Sequence, residues 1–256
     1  MTDLGLTDLL PTLDPTLTVI FAAIFLLAGI IKGFLGIGLP AAAVGLLTLF
    51  VPPAEAIPLL WLPILGTNIL QFAHAPQKRK IVSDYIWFAM AIMISIFITS
   101  MFMADYPTAL LTVSIGIAMV VFSTNLLLGI KLPIRSGLGW QIGAGLLAGI
   151  FGGLSSIWSP IVAMYLVARN VPKEQFIGVT GFLFLAGCLP LGAGQFIAGL
   201  ISLPVLLKSL AGLIVVLIGF RIGEEMRKRV SQTQFRNVVL FAFLIMGIRL
   251  IAIGFT

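Results

Sequence analysis

Ten apolar stretches separated by short connectors account for almost the whole sequence. They lie at about residues 16–32, 38–51, 56–75, 81–103, 107–129, 138–152, 159–170, 174–199, 203–222 and 234–255. A transmembrane helix needs about 20 apolar residues to cross the hydrocarbon, and six of the ten stretches meet or approach that length. The runs are continuous, whereas the strands of membrane barrels alternate apolar and polar residues. The sequence therefore predicts an all-α polytopic membrane protein.

The composition agrees with this class and argues against several others. Of the 256 residues, 60% are hydrophobic and 9% are charged, whereas a soluble domain carries roughly 25% charged residues. The single Cys188 lies in apolar sequence and predicts neither a disulfide nor a metal site. The sequence contains no nucleotide-binding G-x-x-x-x-G-K-[ST] loop and no nucleic-acid motif. We therefore expect no cofactor, no metal, no nucleic-acid partner and no enzymatic activity.

Four of the stretches are short and form two pairs, each joined through a break in the apolar sequence. The first break reads KGFLGIGLP, at 32–40, and the second reads GGLSSIWSP, at 152–160. Aligned without gaps at a spacing of 120 residues, 28–57 and 148–177 share eleven identities in thirty positions. Shared glycines and prolines mark backbone turns rather than general hydrophobicity, so we interpret the similarity as an internal repeat. The matched glycines and prolines are Gly29/Gly149, Gly33/Gly153, Pro40/Pro160 and Pro52/Pro172.

The distribution of charge predicts how the two halves are oriented. If each broken pair enters and leaves on one side, the connectors at 76–80, 130–137, 169–175 and 221–236 share one face and hold twelve of the fifteen basic residues. The positive-inside rule assigns that face to the cytoplasm. The prediction is an inverted repeat of two halves, each a broken or re-entrant helical hairpin plus three transmembrane helices. Both termini are then extracytoplasmic.

This topology divides the chain into four parts. They are a short extracytoplasmic tail at 1–15, a first repeat at 16–130 (hairpin 16–51, spans 56–75, 81–103 and 107–129), a cytoplasmic linker at 131–137, and a second repeat at 138–256 (hairpin 138–170, spans 174–199, 203–222 and 234–255). Whether the hairpins span the membrane fully or re-enter stays open.

The two breaks predict a binding site for an anion deep in the membrane. Irregular backbone survives there only where protein buries it or where it lines a cavity, and paired broken helices form the solute site of many transporters. The helices that follow the breaks begin with free N–H groups and partial positive charge. Lys32 adds a full charge with no acidic residue at similar depth, so a bound anion is the partner we expect. The candidate substrate-binding residues are Lys32, Gly33, Gly36, Gly38, Asn68, Gln71, Ser155, Ser156, Trp158, Ser159 and Gln195.

Other roles for these residues stay open at the level of sequence. Lys32 would snorkel if it lay closer to the interface. The serines would cap the following helix or bond the preceding turn, and the glycines would serve only helix packing. Asn68 and Gln71, together with Gln195 as the nearest counterpart of Gln71 in the second half, would bond neighbouring helices instead of a ligand.

These motifs together resemble the TauE/SafE family, also called the 4-toluene sulfonate uptake permeases. The resemblance rests on AGIIKGFLGIGLP and its echo AGIFGGLSSIWSP, on the connectors VPPAEAI and VPKEQFI, and on the terminal GFRIGEEMRKRVSQTQFRNVVLFAFLIMGIRLI. It covers about residues 16–255. It implies a bacterial or archaeal inner-membrane carrier for sulfur-containing anions such as sulfite, sulfoacetate, other organosulfonates or related carboxylates. The family's glycine-rich turns correspond to Gly33, Gly36, Gly38, Gly152 and Gly153.

The second half departs from that glycine pattern. Ser155, Ser156 and Trp158 stand opposite Leu35, Gly36 and Gly38. We therefore expect the two halves to contribute unequally to substrate contact.

The function expected from the residues and the resemblance is secondary transport of a small sulfur-containing anion, with alternating access around the two breaks. The alternative is an anion channel with a similar electropositive constriction. An intramembrane enzyme acting on a lipid-linked phosphate would need a nucleophile or an acid–base pair at depth, and the sole histidine, His74, has no such partner in the sequence. The expected partners are the anion and the lipid bilayer of the cell inner membrane, with a homodimer left open.

Overall fold

A computed structural model describes residues 15–129 and 137–255. In these ranges the chain forms eleven α-helices, two short 3₁₀ turns and no strand. The predicted tail at 1–15, apart from Pro15, and the predicted linker at 131–137, apart from Gly137, fall outside the described residues. The all-α fold class is confirmed. The helices are α1 (Pro15–Leu35), α2 (Leu39–Leu47), α3 (Pro53–Ala56), α4 (Trp61–Ala73), α5 (Lys78–Met101), α6 (Thr108–Leu128), α7 (Leu138–Ser155), α8 (Ser159–Ala168), α9 (Lys173–Ile197), α10 (Leu203–Arg229) and α11 (Gln232–Gly254).

Eight helical segments of the described chain are long and apolar enough to cross a membrane. They are α1, the run Pro53–Ala73 that joins α3 to α4, and α5, α6, α7, α9, α10 and α11. The chain is therefore a multi-pass membrane protein. The two helices that follow the breaks are much shorter: α2 has 9 residues and α8 has 10. At 1.5 Å per residue they extend only about 14–15 Å.

Both helices that precede the breaks continue three residues beyond the apolar stretches from which they were predicted. The sequence places these arms at 16–32 and 138–152, but α1 runs for 21 residues to Leu35 and α7 for 18 residues to Ser155. They are therefore about 31 Å and 27 Å long, close to the ~30 Å of the hydrocarbon core. Glycine alone does not end a helix, so Gly33 and Gly153 remain helical. The interruptions are confined to 36–38 and 156–158.

Glycines bring each of these two helices into close contact with a helix of the other half. α1 packs most extensively on α10, and α7 packs most extensively on α5. A Cβ at Gly33 would collide with the backbone carbonyl of Phe220 on α10, and a Cβ at the corresponding Gly153 would collide with Thr99 on α5. Such contacts between small residues let helix backbones approach closely in membranes. The glycines involved are Gly29 and Gly33 on α1, Gly219 and Gly223 on α10, and Gly149 and Gly153 on α7.

The two ends of the helical bundle differ in charge. At one end the last turns of α1, α4 and α10 meet the start of α9 around a shared cavity, and Phe34 packs on Phe235 of α11 with ring centroids 4.1 Å apart. The connectors at this end carry most of the basic residues, and we call it the basic end. At the other end the α2–α3 connector, the start of α6 and the end of α11 line a separate pocket. The described residues that make the first end basic are Lys78, Arg79, Lys80, Arg169, Arg221, Arg227, Lys228, Arg229 and Arg236.

Candidate functional site

The two breaks each contain a residue in the left-handed conformation at equivalent positions. Gly36 has φ 79° and Ser156, 120 residues later, has φ 57°. A left-handed residue ends a helix because its backbone cannot continue the right-handed turn. The N–H of Gly36 donates to the carbonyl of Lys32 at 2.7 Å, and the N–H of Ser156 donates to the carbonyl of Gly152 at 2.8 Å. The new helices α2 and α8 then begin three residues later.

A narrow central cavity lies between the two breaks. The centre of a water molecule can occupy about 10 Å³ of it, which is room for about one water. Its walls come from both halves: α1, the start of α2, α4, the second break with the start of α8, and α9. The lining residues are Lys32, Pro40, Ile64, Asn68, Ser156, Trp158, Ser159 and Phe184. The structure thus brings together five of the eleven residues predicted from the sequence to bind substrate, on α1, on α4 and on the second break with the start of α8.

Lys32 is the charged group of this cavity. Its side chain is 1% exposed, its Nζ donates to Oδ1 of Asn68 at 2.5 Å, and Nζ lies 5.5 Å from the ring centroid of Phe184. All ion pairs within 15–129 and 137–255 involve Glu224 or Glu225 instead. Burial of an ammonium without a counter-charge is unfavourable. Among the described residues, the amine of Lys32 is thus contacted by a neutral amide and paired with no carboxylate.

Four other polar atoms of the cavity can all donate hydrogen bonds. Nδ2 of Asn68, Oγ of Ser156, Nε1 of Trp158 and Oγ of Ser159 are buried and have no partner in the described part of the chain. The oxygen of Asn68 is already used by Lys32. A buried donor left unpaired costs about 1–3 kcal/mol. Together with the amine of Lys32, five groups that can donate therefore surround this cavity, and the two serine hydroxyls among them can also accept. Such a set suits a ligand with several acceptor oxygens and a negative charge.

Comparison with known proteins agrees with this chemistry. The family model described as "Sulfite exporter TauE/SafE" matches residues 21–250, nearly the whole chain. The chain belongs to the TauE/SafE family. The resemblance stated from the sequence motifs is confirmed, and with it the membership of a family of membrane transporters. No curated protein and no solved structure matches the chain.

Two of the residues predicted for the site of this TauE/SafE member serve the backbone around the cavity. Oγ of Ser155 donates to the carbonyl of Phe151 at 2.6 Å and accepts from the N–H of Ile157 at 3.1 Å, so it closes the second break. Gln71 braces the first break, because its Nε2 lies 3.1 Å from the carbonyl oxygen of Gly36.

The same nitrogen of Gln71 ties the first break to α9. It lies 3.0 Å from the carbonyl oxygen of Ile177 and 3.1 Å from Oγ1 of Thr180. Gln195, its expected counterpart, lies instead with its Nε2 3.9 Å from Sδ of Met103. Gln71 therefore links the two halves beside the cavity, and Gln195 does not line it.

The glycines of the first break have three different environments. Gly33 packs against the backbone of α10 and lines a second cavity at the basic end together with Gly36. Gly38 has φ 98°, which strongly favours glycine, and lies against Ile31 and Phe243. In this conformation none of the three lines the central cavity. Gly36 and Gly38 supply the positive φ angles of the break, and Gly33 supplies the close contact with α10.

Sequence reasoning missed the α9 side of the site. Phe184 faces Lys32 and Trp158, with its ring centroid 5.8 Å from that of Trp158, and Thr180 lies one helical turn earlier beside Gln71. Thr180 could have been proposed from the sequence, because it is a polar residue within a predicted span. Phe184 could not, because one phenylalanine in a long apolar helix looks like any other.

Proposed function

We propose that this chain carries a small sulfur-containing anion, sulfite or an organosulfonate, across the cell inner membrane. The observation that carries the proposal is the composition of the central cavity: one buried lysine and four unpartnered donors from both halves. The family to which the chain belongs is described by the export of sulfite.

The donor set suits an oxyanion with three oxygens. Sulfite and the sulfonate group each present three acceptor oxygens around one sulfur atom. Lys32 would provide the charge for one oxygen. Asn68, Ser156, Trp158 and Ser159 would donate to the others, and the face of Phe184 would exclude water. Hydrogen bonds to a charged partner contribute about 1.5–3 kcal/mol each, so a few such contacts account for specific binding.

The size of the cavity supports a carrier that changes shape. With room for about one water, the cavity in this conformation is too narrow for an organosulfonate. Binding therefore requires the breaks to move apart, which is the motion of alternating access around broken helices. The positive-inside rule places the basic end in the cytoplasm, so we propose that the substrate reaches Lys32 from that side.

The direct test is transport and binding by a lysine variant. Lys32→Met keeps the length of the side chain and removes its charge. We expect it to weaken sulfite and methanesulfonate binding at least tenfold, the effect of losing one charge-assisted contact, and to abolish uptake into proteoliposomes. Lys208→Met is the matched control, because Lys208 lines a different groove near the start of α10.

Two results would contradict the proposal. One is wild-type affinity and transport by Lys32→Met. The other is a purified protein that binds neither sulfite nor any small sulfonate while it does bind a neutral or cationic solute. Saturable uptake with counterflow is the result expected of a carrier.

A further inference from the structure

A second, wider cavity lies between Lys32 and the basic end of the bundle. The centre of a water molecule can occupy about 160 Å³ of it. The last turns of α1, α4 and α10 and the start of α9 form its walls. We call it the vestibule, and its polar lining consists of Lys32, Gln71, His74, Arg221, Glu224 and Arg227. Lys32 lines both the vestibule and the central cavity, so its side chain stands between the two spaces.

The cations of the vestibule are not equally neutralised. Arg221 is paired with Glu224, with Nη1 and Oε2 3.2 Å apart, and its side chain is 70% exposed. Arg227 is half-buried, and the described residues offer it no hydrogen bond or ion pair. The carboxylate of the vestibule is thus held by Arg221. Arg227 is left as the cation with an unused guanidinium.

Burial of the cations increases from the surface inwards. Arg227 also lines a third cavity, which it shares with the exposed Arg236 and Thr233 of α11. From Arg236 to Arg227 to Lys32, the side chains pass from exposed through half-buried to buried. A row of like charges with low-dielectric walls attracts counter-ions and raises their local concentration.

We infer that the vestibule is the route by which the anion reaches the central cavity from the cytoplasm, and that Arg227 captures it before Lys32 does. The inference rests on the proposed function. The guanidinium of Arg227 presents paired N–H donors that match an oxyanion. An anion held there lies in the same space as Lys32, so transfer to Lys32 exchanges one cationic partner for another without full rehydration between them.

The test is a sided transport measurement on Arg227→Gln in vesicles of known orientation. With sulfite supplied at the basic end, we expect KM to rise roughly fivefold with kcat little changed, as for the loss of one screened charge contact. For Arg227→Lys, which keeps the positive charge, we expect a KM close to the wild-type value. With sulfite supplied at the other end, KM stays at the wild-type value. Arg229→Gln is the matched control, since Arg229 lies on the same helix, is 78% exposed and pairs with Glu225 outside the vestibule.

Equilibrium binding separates this inference from the proposed function. In detergent both ends are open to solvent, so Arg227→Gln keeps the wild-type sulfite affinity of the central cavity while Lys32→Met loses it. If Arg227→Gln leaves KM unchanged from both ends while Lys32→Met is inactive, the vestibule inference alone is wrong. If Arg227→Gln raises KM equally from both ends, Arg227 does not define an entry route. If Lys32→Met is fully active, the central site itself is misplaced.

Cysteine labelling gives a second measurement that does not depend on transport rate. Leu70 lines the vestibule and is half-buried, whereas Thr48 lines the pocket at the opposite end. In a Cys188→Ala background, we expect Leu70→Cys to react with a membrane-impermeant thiol reagent from the basic end only, and sulfite to slow that reaction. Thr48→Cys reacts from the other end only. Labelling of Leu70→Cys from the opposite end would overturn the assignment of the route.

Discussion

Two serines four residues apart in the second break should respond to alanine in opposite ways. Ser159 is 3% exposed, lines the central cavity and has no partner for its Oγ among the described residues. Ser159→Ala removes a buried hydroxyl whose desolvation no hydrogen bond offsets. We therefore expect the ligand-free protein to unfold at the same or a higher temperature, with a gain of up to about 1 kcal/mol. Substrate affinity falls, because the lost contact to an anion is worth about 1.5–3 kcal/mol, or roughly 10- to 150-fold in Kd.

Ser155→Ala is the matched control within the same break. Oγ of Ser155 makes two hydrogen bonds, one to the carbonyl of Phe151 and one from the N–H of Ile157. Its removal leaves both backbone groups without this partner. Because each intramolecular hydrogen bond contributes about 0.5–1.5 kcal/mol, we expect a loss of roughly 1–3 kcal/mol in stability. Sulfite affinity changes less than about twofold, well under one charge-assisted bond.

The assay combines thermal unfolding and calorimetric titration in the same detergent, with sulfite and methanesulfonate as ligands. The expected pattern is a crossed one, in which Ser159→Ala lowers affinity without lowering Tm and Ser155→Ala lowers Tm without lowering affinity. A Ser159→Ala protein with lower Tm and unchanged affinity would show that its hydroxyl caps α8. It would also refute the assignment of unpartnered donors to the ligand.

Three further predictions concern packing and backbone. Gly33→Ala should lower Tm by the equivalent of about 1–3 kcal/mol, because the added Cβ would meet the carbonyl of Phe220. Gly143→Ala is its control. An added Cβ there has no atom within 4 Å, so Tm should be unchanged or slightly higher. Ser156→Gly should raise Tm, since φ 57° suits glycine, while weakening sulfite binding in the same titration. Cys188, which is 0% exposed, should resist maleimide in the native protein and react in detergent at denaturing temperature; rapid native labelling would mean that the bundle opens around α9.

The local features of the site could be predicted from sequence because they depend on backbone chemistry. Glycine at 36 and 38 and proline at 40 mark the first break whatever surrounds them. The 120-residue spacing correctly pairs Gly36 with Ser156, and both residues are left-handed. The membrane spans could also be predicted, because the length and hydrophobicity of a span are set by the thickness of the bilayer and not by the details of packing.

The contacts between helices could not be predicted in the same way. In a soluble helix, polar residues mark the face turned to water, but here one face meets lipid and the other meets protein, and both are apolar. The sequence then does not show which face of a helix turns towards the protein. This is why Gln195, expected to face the site as the counterpart of Gln71 in the second half, lies against Met103, and why Phe184 was missed.

A related ambiguity affects adjacent polar residues of the second break. Ser155 and Ser156 have the same side chain, and their roles differ because φ is helical at Ser155 and positive at Ser156. Ser155 is the last helical residue and turns its hydroxyl to the backbone. Ser156 has positive φ, and its hydroxyl lines the cavity. Side-chain direction at a helix end depends on where the helix stops, to within one residue.

The glycine contact between α1 and α10 limits how these two helices can move relative to each other. Because their backbones approach closely at Gly29, Gly33, Gly219 and Gly223, a relative shift of the two helices would disturb several close contacts at once. We therefore expect Lys32 on α1 and Arg227 on α10 to move together, so that a displacement at the vestibule also displaces the wall of the central cavity. The close packing of α7 on α5 gives the second break an equivalent helix pair, and we expect a conformational change to move these two pairs as units.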